Sequence, residues 1–425
     1  MPTVKPFKAI RYNAKKVKSV SSVIAPPYDV IPKKMQDELY RKNPYNVVRL
    51  ILNKISSKDT AGNNRYTRSK KAYDSWMDKN VLVQDEADSF YIYSQIYKQG
   101  SKTIDQVGFI GLMSLELDGS EKVLPHENTL AAPKKDRLAL MNTVGANLSP
   151  IFILHDDKNV TNLLKKFCAK NKAIIDVKWE GVRHVVWKLS DADIIDAIKG
   201  KMEAKNLFIA DGHHRYEVAK MYARQVLASS APENLKESAR YMMVYFVEAD
   251  EKMLTVLPTH RLIKDISGLK EDVILKKLEG SFDIYRIKGF KNAMAKLDKF
   301  RDGHAFGIYL GKSDFYVLKL KDVASSDNVA KDRPKDWRRL DVSILHLFVL
   351  KHLLGISDEE GNVEYMKDPL ETARAVDGKK FKAAFFLNPT KVSEVKQIAR
   401  LGERMPRKST YFYPKPLTGL VINKH

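Results

Sequence analysis

Leu207-Phe208-Ile209-Ala210-Asp211-Gly212-His213-His214-Arg215 is the stretch on which the fold class turns. Its four apolar residues read as a short buried strand. The polar turn after them runs straight into a helix with Val218, Ala219, Tyr222 and Val226 on one face. Before it, Ser190 and Asp193 have capping-box character and open a helix that carries Ile194, Ile195, Ile198 and Met202. Helix, strand, tight polar turn and helix in succession describe layered α and β structure. The turn then lies at the C-terminal end of a strand, where open sheets hold ligands. Gly212 permits a sharp turn and a close backbone approach. The helix N-terminus supplies N–H groups and the positive end of a dipole, a ready anion site. Arg215 adds a planar fork of donors, and His213 and His214 can donate and gain charge as a phosphate approaches. A strand cap with its basic residues paired to carboxylates is the plainer alternative, but five such residues on one turn favour ligand binding.

Outward from this stretch, helical and strand-like patterns alternate without repeats, low-complexity tracts or Gly/Ser linkers. Ala25-Pro26-Pro27-Tyr28-Asp29 is a rigid turn, and Pro32 opens a helix bearing Met35, Leu39 and Tyr40. Val47 to Leu52 reads as a strand, 66–79 as a helix, and 90–97 with 107–117 as an antiparallel hairpin across Gln99-Gly100-Ser101. A charged loop from Leu124 to Arg137 leads to a helix through Leu138, Leu140 and Met141, then a short strand at Ile151 to Leu154. Beyond Asp250 come a strand at Met253 to Leu257, helices at 270–278, 290–300 and 342–353, and strands at 306–310, 315–320 and 383–387. The expected architecture is α+β, mixed sheets with flanking helices. Two domains are expected, residues 1–255 with the Asp211 to Arg215 turn and residues 256–425, the boundary falling near 250–265.

The 425 residues are 44% hydrophobic and 30% charged, enough to bury a core and too apolar for disorder. A single cysteine, Cys168, excludes a disulfide scaffold and a cysteine zinc site, and suits a reducing, cytoplasmic setting. No apolar run is long enough for a transmembrane helix, so no membrane partner is expected. The opening Met1-Pro2-Thr3-Val4-Lys5 lacks the apolar region of a signal peptide. Lys and Arg total 74 against 52 Asp and Glu, a formal charge of +22. Such an excess draws nucleic acid, nucleotides or other phosphorylated ligands. It is spread along the chain, with short clusters at Lys331 to Arg339 and Arg404 to Lys408. That pattern fits a solvated basic surface better than a nucleic-acid arm.

Other groups could carry chemistry. Glu127 suits a general base or a magnesium ligand, while Lys134, Lys135 and Arg137 suit a polyphosphate. An exposed charged loop is the alternative there. Asp29 is a carboxylate presented by a rigid turn, where a purely structural turn is the better reading on its own. His260 with Arg261 offers a basic pair after a strand, with a simple strand-end polar cluster an equal alternative. From Met405 to Gly419, basic residues interleave with Tyr411, Phe412 and Tyr413, a pattern that stacks on bases or packs as C-terminal strands. There is no Gly-x-Gly-x-x-Gly, P-loop, His-Glu-x-x-His or Gly-x-Ser-x-Gly. His213 and His214 are adjacent and so form no helical metal pair; no metal ligands are assigned.

Ala25-Pro26-Pro27-Tyr28-Asp29-Val30-Ile31, Asn43-Pro44-Tyr45-Asn46, His126-Glu127, Lys134-Lys135-Asp136-Arg137, Ala210 to Tyr216 and Pro258-Thr259-His260-Arg261 occur in this order. Together they resemble the family catalogued as domain of unknown function 1015, over Lys8 to Gly419. The Asp211 to Arg215 turn with its helix is also similar to the phosphate-binding box of the ParB-like superfamily, which includes partition-protein nucleotide switches, sulfiredoxin and archaeal free-serine kinases. That resemblance implies a ParB-like core in which Gly212, His213, His214 and Arg215 hold phosphate. In the kinases a carboxylate activates the serine hydroxyl. The motif does not locate it here, and Asp29 and Glu127 are the candidates.

The expected function is a nucleotide-dependent phosphotransferase, a kinase that uses ATP or ADP with Mg²⁺ on a small hydroxyl compound such as free serine. Catalytic candidates are Glu127, Asp29 and His214. Nucleotide-binding candidates are Asp211, Gly212, His213, His214 and Arg215, with Lys134, Arg137, His260 and Arg261. Two rival readings remain open: a nucleotide-sensing or nucleic-acid-associated binding protein, and a phosphate-ester hydrolase with water as acceptor.

Overall fold

The computed structural model describes residues 2–120, 122–203, 205–266, 268–312, 314–356 and 361–425. The chain divides into two compact units, one of residues 1–125, 129–254 and 414–425, the other of residues 126–128 and 255–413.

The first unit is built on a nine-stranded mixed sheet. In chain order its strands are β1 (Val4–Lys5), β2 (Phe90–Gln99), β3 (Lys102–Ser114), β4 (Val123–Leu124), β5 (Ile151–His155), β6 (Ile175–Trp179), β7 (Val182–Leu189), β8 (Leu207–Asp211) and β9 (Tyr241–Glu248). They lie in the order β4-β8-β5-β9-β3-β2-β7-β6, with β1 paired to the C-terminal end of β3. β8 is parallel to β4 and β9 to β5, while the remaining pairs are antiparallel. The β2–β3 hairpin turns through Gly100 at φ +60, the left-handed conformation that a two-residue tip requires.

Among the described residues, eight α-helices accompany the sheet: α1 (Lys33–Lys42), α2 (Val48–Ile51), α3 (Arg65–Asp78), α4 (Ala131–Val144), α5 (Lys158–Lys170), α6 (Ala192–Met202), α7 (His213–Leu227) and α8 (Glu233–Ala239). Val160 and Leu164 of α5, Ile195 and Ile198 of α6, and Ala219 and Ala223 of α7 share one core with Phe109, Ile153, Ile209 and Phe246 of the sheet. A second core gathers Leu39, Val48, Leu50, Trp76, Leu140 and Val144 from the first four helices. The tail closes this unit, since Ile422 bridges Ile10, Thr418 bridges Ala25 and Asn423 pairs with Asn147.

The sheet centre has no slack. A Cβ on Gly108 of β3 would lie 2.1 Å from the Phe246 carbonyl oxygen and 2.8 Å from the Tyr245 and Val247 side chains. Backbone cannot yield there as a flexible side chain would. Gly108→Ala is therefore expected to cost about 3 kcal/mol or more. Urea denaturation reads this directly, and a midpoint close to wild type would refute it.

The second unit carries a six-stranded antiparallel sheet in the order Phe282–Lys288, Asp314–Leu320, Ala305–Tyr309, Ala383–Leu387, His260–Ile263, Val363–Met366. Helices Glu271–Glu279, Phe290–Lys299, Pro369–Asp377 and Val392–Arg400 accompany it, with a wider-turned helix at Ile344–Leu354. Its two ends are stitched together, because Thr255 and Val256 pair antiparallel with Tyr413 and Phe412.

The α+β architecture of mixed sheets with flanking helices is borne out, with local corrections. Val47 to Leu52 is not a strand. Asn46 Oδ1 accepts from the Val48 N–H at 3.0 Å, and its Nδ2 donates to the Ser22 and Ile24 carbonyls, which starts the helical turn α2. Val47, Val48, Leu50 and Ile51 are all buried, so periodicity could not separate strand from helix. Lys134 to Arg137 are not on a loop but in the first turns of α4, where Pro133 sits at a position whose N–H is unneeded. Asp191, not Ser190, caps α6, accepting from the Ile194 N–H at 3.0 Å. No helix among the described residues is long and apolar enough to cross a membrane.

Candidate functional site

β8 ends in Asp211, and Gly212, at φ +98, turns the chain into α7. A Cβ at Gly212 would fall 2.8 Å from Ile151 Cγ2 and 3.0 Å from an Arg215 guanidinium nitrogen, so both conformation and space demand glycine. The 15-residue helix α7 has no capping side chain and no acidic residue in its first turn. Its leading N–H groups thus have no anionic side chain of their own turn.

The basic residues around this turn are already engaged. Arg215 Nη2 donates to Asp211 Oδ2 at 2.8 Å, and its Nη1 donates to the Pro150 carbonyl. The second Asp211 oxygen accepts from Lys415 Nζ. Asp211, Arg215 and Lys415 are all nearly buried, with side chains 11%, 13% and 11% exposed. His213 is buried. His214 Nε2 accepts from the Leu130 N–H at 2.9 Å, at the head of α4. That nitrogen is therefore an acceptor in this contact.

Arg137 of α4 reaches the same region. Its guanidinium lies 4.1 Å from the Tyr28 ring centroid, and Nη1 donates to the Ile51 carbonyl at 2.6 Å. Nε donates to Asp136 at 2.7 Å. Burial works to raise the Asp136 carboxyl, but Arg137, Tyr66 and Arg65 outweigh it and hold it below the usual carboxylate range. The Tyr28 phenol is raised by burial and by Asp29, with Arg137 and Arg215 pulling it down. Tyr28, Arg137, Asn147, Ser149 and Arg215 line a cleft of the first unit that has an apolar side of Leu140, Val218 and Met242. Its cavity of about 70 Å³ accepts a group the size of one phosphate, well short of the volume of a whole nucleotide site.

Of the sequence-derived candidates, Asp29, Lys134, Arg137 and Asp211 to Arg215 belong to the first unit. Asp29 is exposed, Lys134 is half-buried. Glu127, His260 and Arg261 belong to the second unit. There, His126 beside Glu127 is buried, with Nε2 3.0 Å from Thr410 Oγ1. His260 accepts from the Leu387 N–H at 3.3 Å, and burial, then Arg261, push its pKa down to about 4. Arg261 is 1% exposed and donates to His346, to the Thr259 carbonyl and to the Lys408 carbonyl. Burial lowers its pKa to about 10. This basic pair sits inside the unit.

Lys415 was read only as one of the basic residues interleaved with aromatics between Met405 and Gly419, and Arg65, the partner of Asp136, was not singled out from the sequence. Lys415 lies 204 residues from Asp211, beyond any local pattern. A further signal is Pro414-Lys415-Pro416, since two prolines fix the backbone that presents the lysine.

No curated protein matches the chain. Among solved structures it is similar to a free serine kinase in complex with AMP, at 16% identity, covering 70% of this chain and 85% of that one, with a TM-score of 0.32. It is similar to C-terminally truncated SbnI from Staphylococcus aureus at 11% identity, covering 73% and 86%, with a TM-score of 0.35. A conserved hypothetical protein from Pyrococcus furiosus aligns at 14% identity over 70% and 88%, with a TM-score of 0.31. Residues 4–343 match the family model described as Protein of unknown function (DUF1015), and the chain belongs to that family.

Proposed function

We propose that the first unit binds a nucleotide by its phosphate end at the Tyr28–Arg137–Arg215 cleft and transfers a phosphoryl group to a small hydroxyl compound, with free serine as the sharpest candidate. One observation carries the reading: three sequence-distant segments, the Tyr28 turn, the Arg137 helix and the Asp211 to Arg215 turn, line or border one cleft. Phosphoryl transfer asks chiefly for positioning and charge stabilisation. The α7 N-terminus offers N–H donors, and Arg137 and Arg215 hold fixed positive charge at the wall. Asp29, exposed on the neighbouring turn, is the carboxylate of this unit suited to take the acceptor's proton. The resemblance of the turn to the phosphate box of free-serine kinases points to the same acceptor.

No three His, Cys, Asp or Glu side chains gather to hold a metal among the described residues. That donor set fits a Mg²⁺ ion carried on the nucleotide phosphates rather than in a protein cage. Such an ion would neutralise phosphate charge.

Thermal stabilisation by ATP, ADP, CTP and pyrophosphate, each with and without Mg²⁺, tests the binding step. A ligand at a hundredfold excess over its Kd should add about 2.7 kcal/mol. Asp29→Asn should retain that stabilisation while phosphoserine formation, followed by phosphorus NMR, falls by about 100-fold or more. Absence of any shift would overturn the site. Phosphate release without a phosphorylated acceptor would favour a hydrolase.

A further inference from the structure

Two basic runs far apart in the sequence come together on the second unit. Residues 331–339 carry five Lys or Arg against two Asp, and residues 396–408 carry five against one Glu. Trp337 Nε1 donates to the Arg404 carbonyl at 2.7 Å, Arg333 pairs with Glu403 at 2.8 Å, and Gln397 donates to Asp336 at 2.7 Å. These contacts make one face of the two runs. Lys331, Arg333, Lys335, Arg400, Arg407 and Lys408 of the two joined runs are exposed.

The composition of this face differs from that of the chain. The protein has 54 Lys and 20 Arg, yet six of the ten basic residues here are arginine. A lysine-rich surface kept only for solubility has no reason to change that ratio locally. Guanidinium groups meet phosphodiester oxygens as planar two-point donors and shed water more readily than ammonium groups. Several of these arginines are held in place. Arg333 lies 5.5 Å from the Trp337 ring centroid, and Arg338 and Arg339 are tied to Asp327. Fixed donors lose less conformational freedom on binding. Asp327 and Glu403 anchor these arginines, and Asp336 accepts from Gln397.

We propose that this face binds nucleic acid through the phosphodiester backbone, without reading base sequence. A polymer with a charge at every step engages both runs at once and releases counterions from each. A membrane partner would need an apolar wedge, and Leu401, 47% exposed, is the single large exposed apolar side chain within the two runs among the described residues.

The test uses the full chain and fluorescence anisotropy with labelled random-sequence duplex DNA and RNA. Affinity should fall by about tenfold or more as KCl rises from about 50 to about 200 mM. K335E/R407E/K408E should weaken binding by about tenfold or more at low salt. K15E/K16E/K18E alters three exposed lysines of the first unit by the same charge and should weaken it by less than about threefold. Equal losses from the two triple variants would mean that net charge alone acts, and would overturn the proposal. So would absence of binding at low salt, or tighter binding to phosphatidylserine vesicles than to either nucleic acid. If the glutamate variant melts early, K335Q/R407Q/K408Q gives the same comparison.

Discussion

Asp211→Ala should destabilise the first unit by about 3–5 kcal/mol, one of the two largest effects expected for this protein. The carboxylate is nearly buried, with Arg215 on one oxygen and Lys415 on the other. Removing it leaves two cations in a low-dielectric setting with their compensating charge gone, which costs more than the pair contributes when whole. The Arg215 contact to the Pro150 carbonyl cannot supply the missing charge. Asp211→Asn keeps the shape and should lose most of the same stability, separating charge from packing. Adding Lys415→Met to Asp211→Ala should restore a measurable part, the signature of coupled groups in a double-mutant cycle. Urea denaturation of the wild type, Asp211→Ala, Asp211→Asn, Lys415→Met and the double variant decides the matter. A loss below about 1 kcal/mol for Asp211→Ala would show that solvent reaches both cations.

The second large effect is acid sensitivity. Burial pushes His155, His184, His260 and His425 each down to about 4. The contacts suit neutral rings. His155 Nδ1 accepts from the Asp157 N–H at 3.2 Å, and His184 Nδ1 lies 2.6 Å from the Tyr93 hydroxyl. An exposed histidine in the unfolded chain takes its proton near pH 6.5. Above that value both states are neutral and stability is at its full level. As pH falls from about 6.5 towards 4 the unfolded chain binds protons that the folded one refuses, so stability drops with pH, by at most about 3 kcal/mol per histidine. Three of the four, His155, His184 and His425, belong to the first unit. That unit should therefore melt first on acidification, and His184→Gln should flatten the slope if the variant folds. Melting points that stay level between pH 7 and 5 would contradict this account.

Much of the site's framework was legible in the sequence because its signals are local. Leu207 to Leu227 declared a strand, a glycine turn and a helix within twenty-odd residues, and each fell where periodicity and turn chemistry put it. The same holds for the hairpin around Gly100. Errors arose where tertiary burial overrides local preference. Val47 to Leu52 has β-branched strand composition, yet Asn46 and the burial of Val47, Val48, Leu50 and Ile51 make it helical. The charged run at Lys134 resembled a loop because its polarity masked a helix that buries only Arg137, Leu140 and Val144. His260 and Arg261, a basic pair in the sequence, lie on a buried strand, where His260 accepts from the Leu387 N–H and Arg261 donates to His346. Lys415 depended on a pairing no local pattern encodes.

The discontinuity of the first unit has a consequence for synthesis on the ribosome. Its closing strap, Pro414 to His425, carries Lys415 for Asp211, Thr418 for Ala25 and Ile422 for Ile10. The chain emerges from its N-terminus, so this strap follows Leu254 only after the whole intervening unit has been made. At ordinary elongation rates that delay is roughly 10–30 s. Throughout it, the nascent first unit holds Asp211 and Arg215 without the lysine that completes their charge, and an open groove stands where Leu417, Leu420 and Ile422 will lie. The inserted unit, whose Thr255 and Tyr413 ends pair with each other, can close on itself before release. Nascent chains should thus pass through a stage with one finished module and one unlatched module, the stage at which chaperone capture or misassembly has its longest opportunity.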